Sequence, residues 1–286
     1  MQLSQFTSLF GFFAFSGLNL VCAEGVKFQL KFEPEKSYFT KTTVEQSADM
    51  MMGGKDVKSA VKMEMTTEQK AAAAAEGVEV KQSMSALKMS MDVGGMAMSF
   101  DSENPEGALA GMFKPLLDAE STTLYSNEGE ILKIETPAVA GMENLGMGKD
   151  ELEQSIRELS NMMPNRVIQV GESWTSKSQL SMGGITKDPV EVVYTLNFES
   201  LEEREGVEVA KVQIKGKIED GDDNIQVTSK KLEGVMYFDG ELGQPREWTV
   251  EMNLKIGLPE GVPVAGGAKG DMEMDVISTS KLIAVK

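Results

Sequence analysis

Apolar and polar residues alternate with a period of two along most of this sequence of 286 residues. Such alternation is typical of β-strands that bury one face, because successive side chains point to opposite sides of a sheet. Polar or Gly-containing stretches separate the alternating segments. The pattern therefore predicts a mainly antiparallel β-protein. Its predicted strands are 26–32, 38–46, 57–65, 78–91, 167–180, 190–198, 207–218, 225–238, 248–256 and 272–285.

A helical period replaces the alternation in "GKDELEQSIRELSNMMP", residues 148–164. Leu152, Ile156, Leu159 and Met163 follow the spacing i, i+4, i+7, i+11, which puts them on one face of a helix. Acidic residues crowd the first turn, and Pro164 comes directly after the last apolar position. We expect one central helix here and a shorter helical segment at 108–117, which makes an α+β protein dominated by strands.

An internal repeat divides the sequence. The pentapeptide "EGVEV" occurs at 76–80 and again at 205–209, an offset of 129 residues. The same offset aligns Met63 with Val192, Met65 with Tyr194 and Met89 with Ile218. We therefore predict two similar β-meanders, packed as a sandwich or a curved half-barrel, with the helix over an open face or end. The expected organisation is a signal peptide (1–23), a first meander (24–147), a linking helix (148–164) and a second meander (165–286).

Two further segments are interpreted as connections. The run "AAAAA" at 71–75 is expected to form a turn, with a local helical tendency because alanine favours helices. The segment "EDGDDN" at 219–224 spaces its carboxylates like the start of a calcium loop. It lacks the Gly and the bidentate Glu that such a loop needs further on, so an acidic hairpin turn is predicted.

The first residues predict export. The apolar run from Leu9 to Val21 is short for a membrane span, and Val21-Cys22-Ala23 provides the small residues that signal peptidase accepts. Cleavage after Ala23 would produce a periplasmic or secreted protein. The alternative is a lipid anchor to the envelope through Cys22, although the residues before this cysteine match a lipoprotein signal poorly.

Composition excludes several classes of function. The formal net charge of −17 disfavours nucleic acid and anionic membrane surfaces as partners. The sequence contains no His and a single Cys, so Ser–His and Cys–His nucleophile pairs and the usual zinc sites are ruled out. No other pair of nucleophile and base is visible. We expect a protein that is not an enzyme and carries no cofactor.

Methionines form the one distinctive candidate site of the sequence. The segment "MSALKMSMDVGGMAMSF" (84–100) predicts a hairpin with a two-residue turn at Gly94-Gly95. That turn would place Val93 opposite Met96, Met91 opposite Met98 and Met89 opposite Phe100, with all six side chains on one face. Because Met is flexible and polarizable, such a face suits ill-defined apolar ligands. The candidate cavity residues are Met63, Met65, Met89, Met91, Met96, Met98, Phe100 and Trp174.

Two functions remain open for this hairpin. The first is the binding of a lipid, another apolar ligand or an envelope protein partner by the Met-rich sheet surface. The second is a soft-metal site for Cu(I) or Ag(I), with the thioethers of Met89, Met91, Met96 and Met98 as ligands. The repeat favours packing over metal binding, since Val192, Tyr194 and Ile218 replace three of the methionines in the second copy.

Three short motifs resemble a family of uncharacterised bacterial exported proteins. "LKFEPEKSY" (30–38) is similar to that family's N-terminal F-x-P-[GE]-x-x-Y strand, and "NRVIQVGESWT" (165–175) to its mid-sequence G-[DE]-x-W element. "LYSNEGEIL" (124–132) resembles its strand with an aromatic residue before a Gly turn. The resemblance implies a Gram-negative envelope protein, often lipid-anchored, and implies no catalytic residue.

Overall fold

The computed structural model describes residues 25–52, 55–106, 108–137, 149–180, 190–219, 226–258 and 268–286. Within these ranges strands dominate, as the alternation predicts, and two helices interrupt them. The strands of the first half are β1 (Gly25–Phe28), β2 (Ser37–Met52), β3 (Lys55–Ala74), β4 (Gly77–Val93), β5 (Met96–Asp101), β6 (Glu120–Tyr125) and β7 (Ile131–Glu135). Those of the second half are β8 (Arg166–Gln169), β9 (Ser173–Leu180), β10 (Val190–Arg204), β11 (Val207–Ile218), β12 (Gln226–Asp239), β13 (Gln244–Leu258) and β14 (Ala268–Val285). The helices are α1 (Ala108–Leu117) and α2 (Lys149–Met162).

Twelve of these strands form one antiparallel sheet in the order β7-β6-β4-β3-β2-β14-β13-β12-β11-β10-β9, with β5 paired to β4 outside this path. The sheet is open, and β1 and β8 form a separate antiparallel pair. The predicted fold class, mainly antiparallel β in a curved arrangement with a central helix, is confirmed. Within the sheet, each half of the sequence contributes a meander of consecutive strands, and the pairing of β14 with β2 joins the two. The proposed domain boundaries remain a prediction.

The register supports the alignment of the two copies. Met63 pairs with Met89 between β3 and β4, and Val192 pairs with Ile218 between β10 and β11. These are the residues that the offset of 129 makes equivalent, so the same cross-strand pair occurs once in each half. The methionine pair and the aliphatic pair therefore hold the same place in their meanders.

One core joins both halves at the end of the sheet that we call the aromatic end. Phe28 lies against Trp174, Phe198 and Phe238, with ring centroids 4.9, 5.5 and 5.1 Å away. Four residues later, Phe32 contacts Tyr38 and Tyr125, which belong to the first half. Residues 28–32 thus bridge strands that are distant in the sheet order, because the sheet curves round them. Both copies share this core.

Helix α2 lies between the two edges of the sheet, where it contacts β9 on one side and β7 on the other. Two of its predicted apolar positions, Leu159 and Met163, join the core at the aromatic end, and Met162 does so as well. Pro164 lies two residues after the end of the helix and cannot continue its hydrogen bonding. Helix α1 packs on β4 and β5, and its bounds agree with the shorter helix predicted at 108–117.

One local prediction is wrong. Ala71–Ala74 do not form a turn but the last residues of β3, paired with residues 77–80 of β4. The turn is confined to residues 75–76. Ala71 is buried in the aromatic-end core, and its backbone exchanges hydrogen bonds with Lys36 and Glu35. Long-range pairing and burial outweigh the weak helix preference of alanine.

Several predictions fall outside the described residues. These are the signal peptide 1–23 with Cys22 and the centre of the acidic turn at 219–224. Among the described residues, neither helix is long and apolar enough to cross a membrane.

Candidate functional site

The methionine hairpin has the predicted geometry. Gly94 and Gly95 have φ angles of 59° and 86°, the left-handed values that a type I′ turn requires at both central positions. Asp92 Oδ1 accepts a hydrogen bond of 2.9 Å from the Gly95 amide and fixes the turn. The predicted register is confirmed: Val93 opposes Met96, Met91 opposes Met98, and Met89 opposes Phe100.

Helix α1 covers part of this face. Phe113 and Leu116 of α1 are buried against Leu87 and Phe100, and the Phe100 and Phe113 rings lie 5.1 Å apart. Four methionines pack round this group, which we call the α1 cluster. They are Met63, Met65, Met84 and Met89. These side chains, three of which belong to the predicted cavity, contribute to a packed core in this structure.

Towards the hairpin turn the methionines emerge from under α1. Met91 is half-buried, Met98 is 42% exposed and Met96 is 70% exposed. The structure therefore separates the four proposed metal ligands. Met91 and Met98 face each other, whereas Met89 packs in the α1 cluster and Met96 projects into solvent.

Trp174, the remaining predicted cavity residue, lies elsewhere. It is buried at the aromatic end, where its Nε1 donates a hydrogen bond of 2.8 Å to the backbone oxygen of Met162. The hairpin methionines, all of which are described, lie outside this core. The structure thus distributes the predicted residues over three places: the α1 cluster, the hairpin and the aromatic end.

The face that carries Met91 continues across the middle of the sheet. We call it the inner face, since it also carries the buried residues Tyr38, Leu196 and Leu254. Direct register partners form a row on this face across six strands, from β13 to β5. Five of its members are half-buried, and Met98 is the exposed one at the end. This methionine row consists of Met252, Val276, Gln46, Val61, Met91 and Met98.

Met252 on β13 and Met274 on β14 add to the apolar inner surface, although neither is among the candidate cavity residues predicted from the sequence. Both are half-buried beside a second core, the hairpin-end cluster, which includes Val192, Leu232 and Leu254. Met274 also accepts a hydrogen bond of 3.2 Å from Gln46 Nε2 through its sulfur. Their place on alternate positions of two predicted strands was a usable signal. Only the pairing of β14 with β2, however, brings them next to the first meander.

Helix α2 adds apolar surface on the same side. Leu152 and Ile156 belong to the same helical stripe as Leu159 and Met163, which contact the core, so the stripe points into the curve of the sheet. Both residues are half-buried, yet neither is part of the three core clusters. The hollow side of the sheet is therefore lined by apolar side chains that are only partly packed.

One carboxyl group faces this interior. Glu158 of α2 accepts a hydrogen bond of 2.5 Å from Ser178 Oγ, and Ser178 occupies an inner position of β9 opposite Val192. Burial raises the pKa of Glu158 above its ordinary value, and the hydrogen bonds from Ser178 and Gln154 oppose this effect. Burial also raises the pKa of Tyr194 to about 12, with the charge of Glu158 adding to the shift.

A groove of about 660 Å³ lies at the hairpin end, across strands β14, β2, β3, β4 and β5. Strand β14 contributes Asp275 and Ile277, whose side chains alternate with Val276 and so point away from the methionine row. Small side chains at outward positions, such as Ala60, Ser90 and Ala97, leave the strand backbones uncovered there. Between these outward positions the lining also includes Gln46, Val61, Met91 and Met98 of the methionine row, so the groove and the row share the same strands.

No family model and no curated protein matches this sequence. Among solved structures, lipovitellin, described by its lipid–protein interactions, is similar to 90% of this protein with a TM-score of 0.53 at 11% identity. The match spans about a quarter of the lipovitellin polypeptide, 26%. An exported protein from Bacteroides fragilis with a YmcC-like fold has 9% identity over 92% of this protein and 99% of its own length, with a TM-score of 0.24. The lipovitellin match shows a shared fold only.

Proposed function

We propose that this protein is an exported, non-catalytic binding protein that takes up an apolar, lipid-like ligand on its inner face. The observation that carries the proposal is the methionine row. It presents four half-buried apolar side chains on neighbouring strands, interrupted by the polar Gln46 and ending at the exposed Met98. Helix α2 packs on the edge strands β7 and β9, and α1 covers part of β4 and β5.

A ligand on this row would complete the burial that the fold leaves unfinished. Removing apolar surface from water stabilises a complex by roughly 25 cal/mol per Å². Val61, Met91 and Met252 retain part of their surface, and so do Leu152 and Ile156 across the hollow. Unbranched Met side chains can repack round ligands of different shape, so the row suits a range of acyl tails rather than one rigid molecule.

Two further observations support the proposal. The fold is shared with a lipovitellin region, and lipovitellin is a protein with described lipid interactions. The leader-like residues 1–23 and the resemblance to exported envelope proteins favour a periplasmic or secreted location, with a lipid anchor at Cys22 as the alternative.

The test uses two neighbours on one strand. Val276→Arg places a charge in the methionine row, whereas Ile277→Arg makes the same change on the outer face, where Ile277 is already 43% exposed. Binding of the fluorescent apolar probe 1-N-phenylnaphthylamine is measured for the wild type and both variants, with circular dichroism to confirm folding. We expect the probe to bind the wild type and Ile277→Arg, and to be lost from Val276→Arg.

Equal binding by the two variants would contradict the inner face as the site. If Val276→Arg fails to fold, Val276→Ser tests the inner face instead. It introduces no charge into the methionine row and should still weaken probe binding. Native mass spectrometry of residues 24–286 from the envelope complements this test. A lipid-sized adduct supports the proposal, and a bare mass favours a protein partner instead.

Soft-metal binding remains a second candidate because Met91 and Met98 are direct cross-strand partners. Thioether sulfurs suit Cu(I) and Ag(I). Titration with Ag(I), followed by native mass spectrometry, would show a one-to-one adduct that Met91→Leu/Met98→Leu abolishes. Retention of the adduct in that double variant would exclude this pair as ligands.

A further inference from the structure

The carboxyl of Glu158 belongs to a small polar group within the otherwise apolar interior, which we call the Glu158 cluster. It consists of Glu158, Ser176, Ser178 and Tyr194. Ser178 Oγ lies 2.5 Å from Glu158 Oε1, and both serines are buried at inner positions of β9. Tyr194 is the register partner of Ser176, so its side chain lies on the same face beside the serines.

The four residues of this cluster include no cation. The groups that shift the pKa of Glu158 are Ser178 and Gln154, besides burial itself, and no described Lys or Arg is among them. A half-buried carboxyl without a positive partner is costly, because its charge loses part of its hydration without a compensating ion. Met162, one turn further along α2, shows that an apolar residue is accommodated on this side of the helix. A carboxyl at this place is thus poorly explained by stability.

The Glu158 cluster lies between the packed core at the aromatic end and the partly exposed apolar surface of the inner face. Tyr194 packs against the aromatic-end core and also against the hairpin-end cluster that contains Met252 and Met274 as partly buried neighbours. From this boundary the apolar inner surface extends towards the methionine row. An amphiphile with its tail on the row would therefore have its polar head at Glu158.

We propose that the Glu158 cluster recognises the ammonium head of an amine-bearing amphiphile whose tail occupies the inner face. This inference rests on the proposed apolar-ligand function. An ammonium group offers three hydrogen-bond donors, and the cluster offers matching acceptors in the Glu158 carboxylate and the hydroxyl oxygens of Ser178 and Tyr194. A cation next to Glu158 would favour its ionised form and provide the missing ion pair.

Three amphiphiles with the same alkyl tail test the head-group choice: dodecylamine, dodecanol and dodecanoate. Their affinities are measured at pH 7 by displacement of 1-N-phenylnaphthylamine from the wild type, Glu158→Gln and Glu153→Gln. Glu153 is the matched control, because it lies on the same helix but pairs with Lys149 at 3.7 Å. We expect the wild type and Glu153→Gln to bind dodecylamine about tenfold or more tightly than dodecanol, as a charged hydrogen bond predicts.

Glu158→Gln should lose that preference while its affinity for dodecanol stays within about twofold. Equal affinities for the amine and the alcohol in the wild type, or a preference for dodecanoate, would overturn the ammonium site and leave apolar binding intact. Failure of all three amphiphiles and of the probe to bind the wild type would overturn the proposed function itself. If Glu158→Gln does not fold, the affinities of the wild type for dodecylamine, dodecanol and dodecanoate still decide whether the inner face has an ammonium site.

Discussion

The indole Nε1 of Trp174 donates a hydrogen bond of 2.8 Å to the backbone oxygen of Met162, and both residues are buried. This bond ties the last turn of α2 to the edge strand β9. Trp174→Phe should lower the free energy of unfolding by about 1–3 kcal/mol, since it leaves the Met162 carbonyl without its partner. Urea unfolding followed by far-UV circular dichroism measures the loss.

Trp248→Phe is the control for that experiment. Trp248 lies on β13 and is only half-buried. Its replacement should change stability by clearly less, and equal losses in both variants would show that the hydrogen bond to Met162 is unimportant.

Phe28 should be a major determinant of stability, because its ring contacts three aromatic residues from β9, β10 and β12. Phe28→Ala is expected to cost about 3–5 kcal/mol, the usual range for an aromatic residue removed from a core. Phe39→Ala provides the comparison, since Phe39 is half-buried and is covered on one side by Lys286. A loss at Phe28 no greater than at Phe39 would argue against residues 28–32 as the bridge between the two halves.

Two glycines should respond in opposite directions to the same change. Gly111 lies within α1 and a Cβ there would meet nothing within 4 Å, so Gly111→Ala should stabilise the protein by roughly 0.5–1 kcal/mol. A Cβ on Gly216 would lie 2.0 Å from Cδ2 of Leu232, a buried residue of the hairpin-end cluster. Gly216→Ala should therefore destabilise by about 1–3 kcal/mol. Thermal unfolding of both variants checks the signs, and two shifts in the same direction would contradict this packing.

Glu158 should lower stability at neutral pH. Its folded-state pKa is raised by burial, so the folded protein holds the proton more tightly than the unfolded state does. The cost of burying the charge is fully present above the raised pKa and disappears as pH falls below the ordinary value of 4.5. Glu158→Gln should thus be more stable than the wild type at pH 7 to 8, and this advantage should shrink as pH decreases. Melting temperatures of the wild type and Glu158→Gln, measured from pH 8 down to pH values below 4.5, test the prediction.

Glu64→Gln should show the opposite effect on stability: it should be less stable than the wild type at neutral pH, and this difference should shrink on acidification. The Lys41 ammonium, 2.8 Å from the Glu64 carboxylate, lowers the pKa of Glu64. This solvent-accessible pair provides a small stabilisation that is present at neutral pH and lost on acidification. A pH profile for Glu158→Gln that parallels the profile for Glu64→Gln would refute the buried-carboxyl interpretation.

The sequence determined features that depend on neighbouring residues. The period of two predicted the strands, and the apolar spacing from Leu152 to Met163 predicted α2. The Gly94-Gly95 turn set the pairing of Met91 with Met98, because a two-residue hairpin leaves one register. Each of these follows from local backbone geometry.

The tertiary structure decided everything that joins distant segments. The pairing of β14 with β2 brings Val276 beside Gln46 and Val61, and so assembles the methionine row from separate segments of the sequence. The α1 helix covers Met63 and Met89, while Trp174 lies in the core at the other end of the sheet. Even Ala71–Ala74 became strand against their local preference, since pairing with β4 and the burial of Ala71 outweigh a propensity of a fraction of a kcal/mol. Local patterns specify which face of each strand is apolar, but only the curvature of the whole sheet determines which apolar faces are buried and which remain open to a ligand.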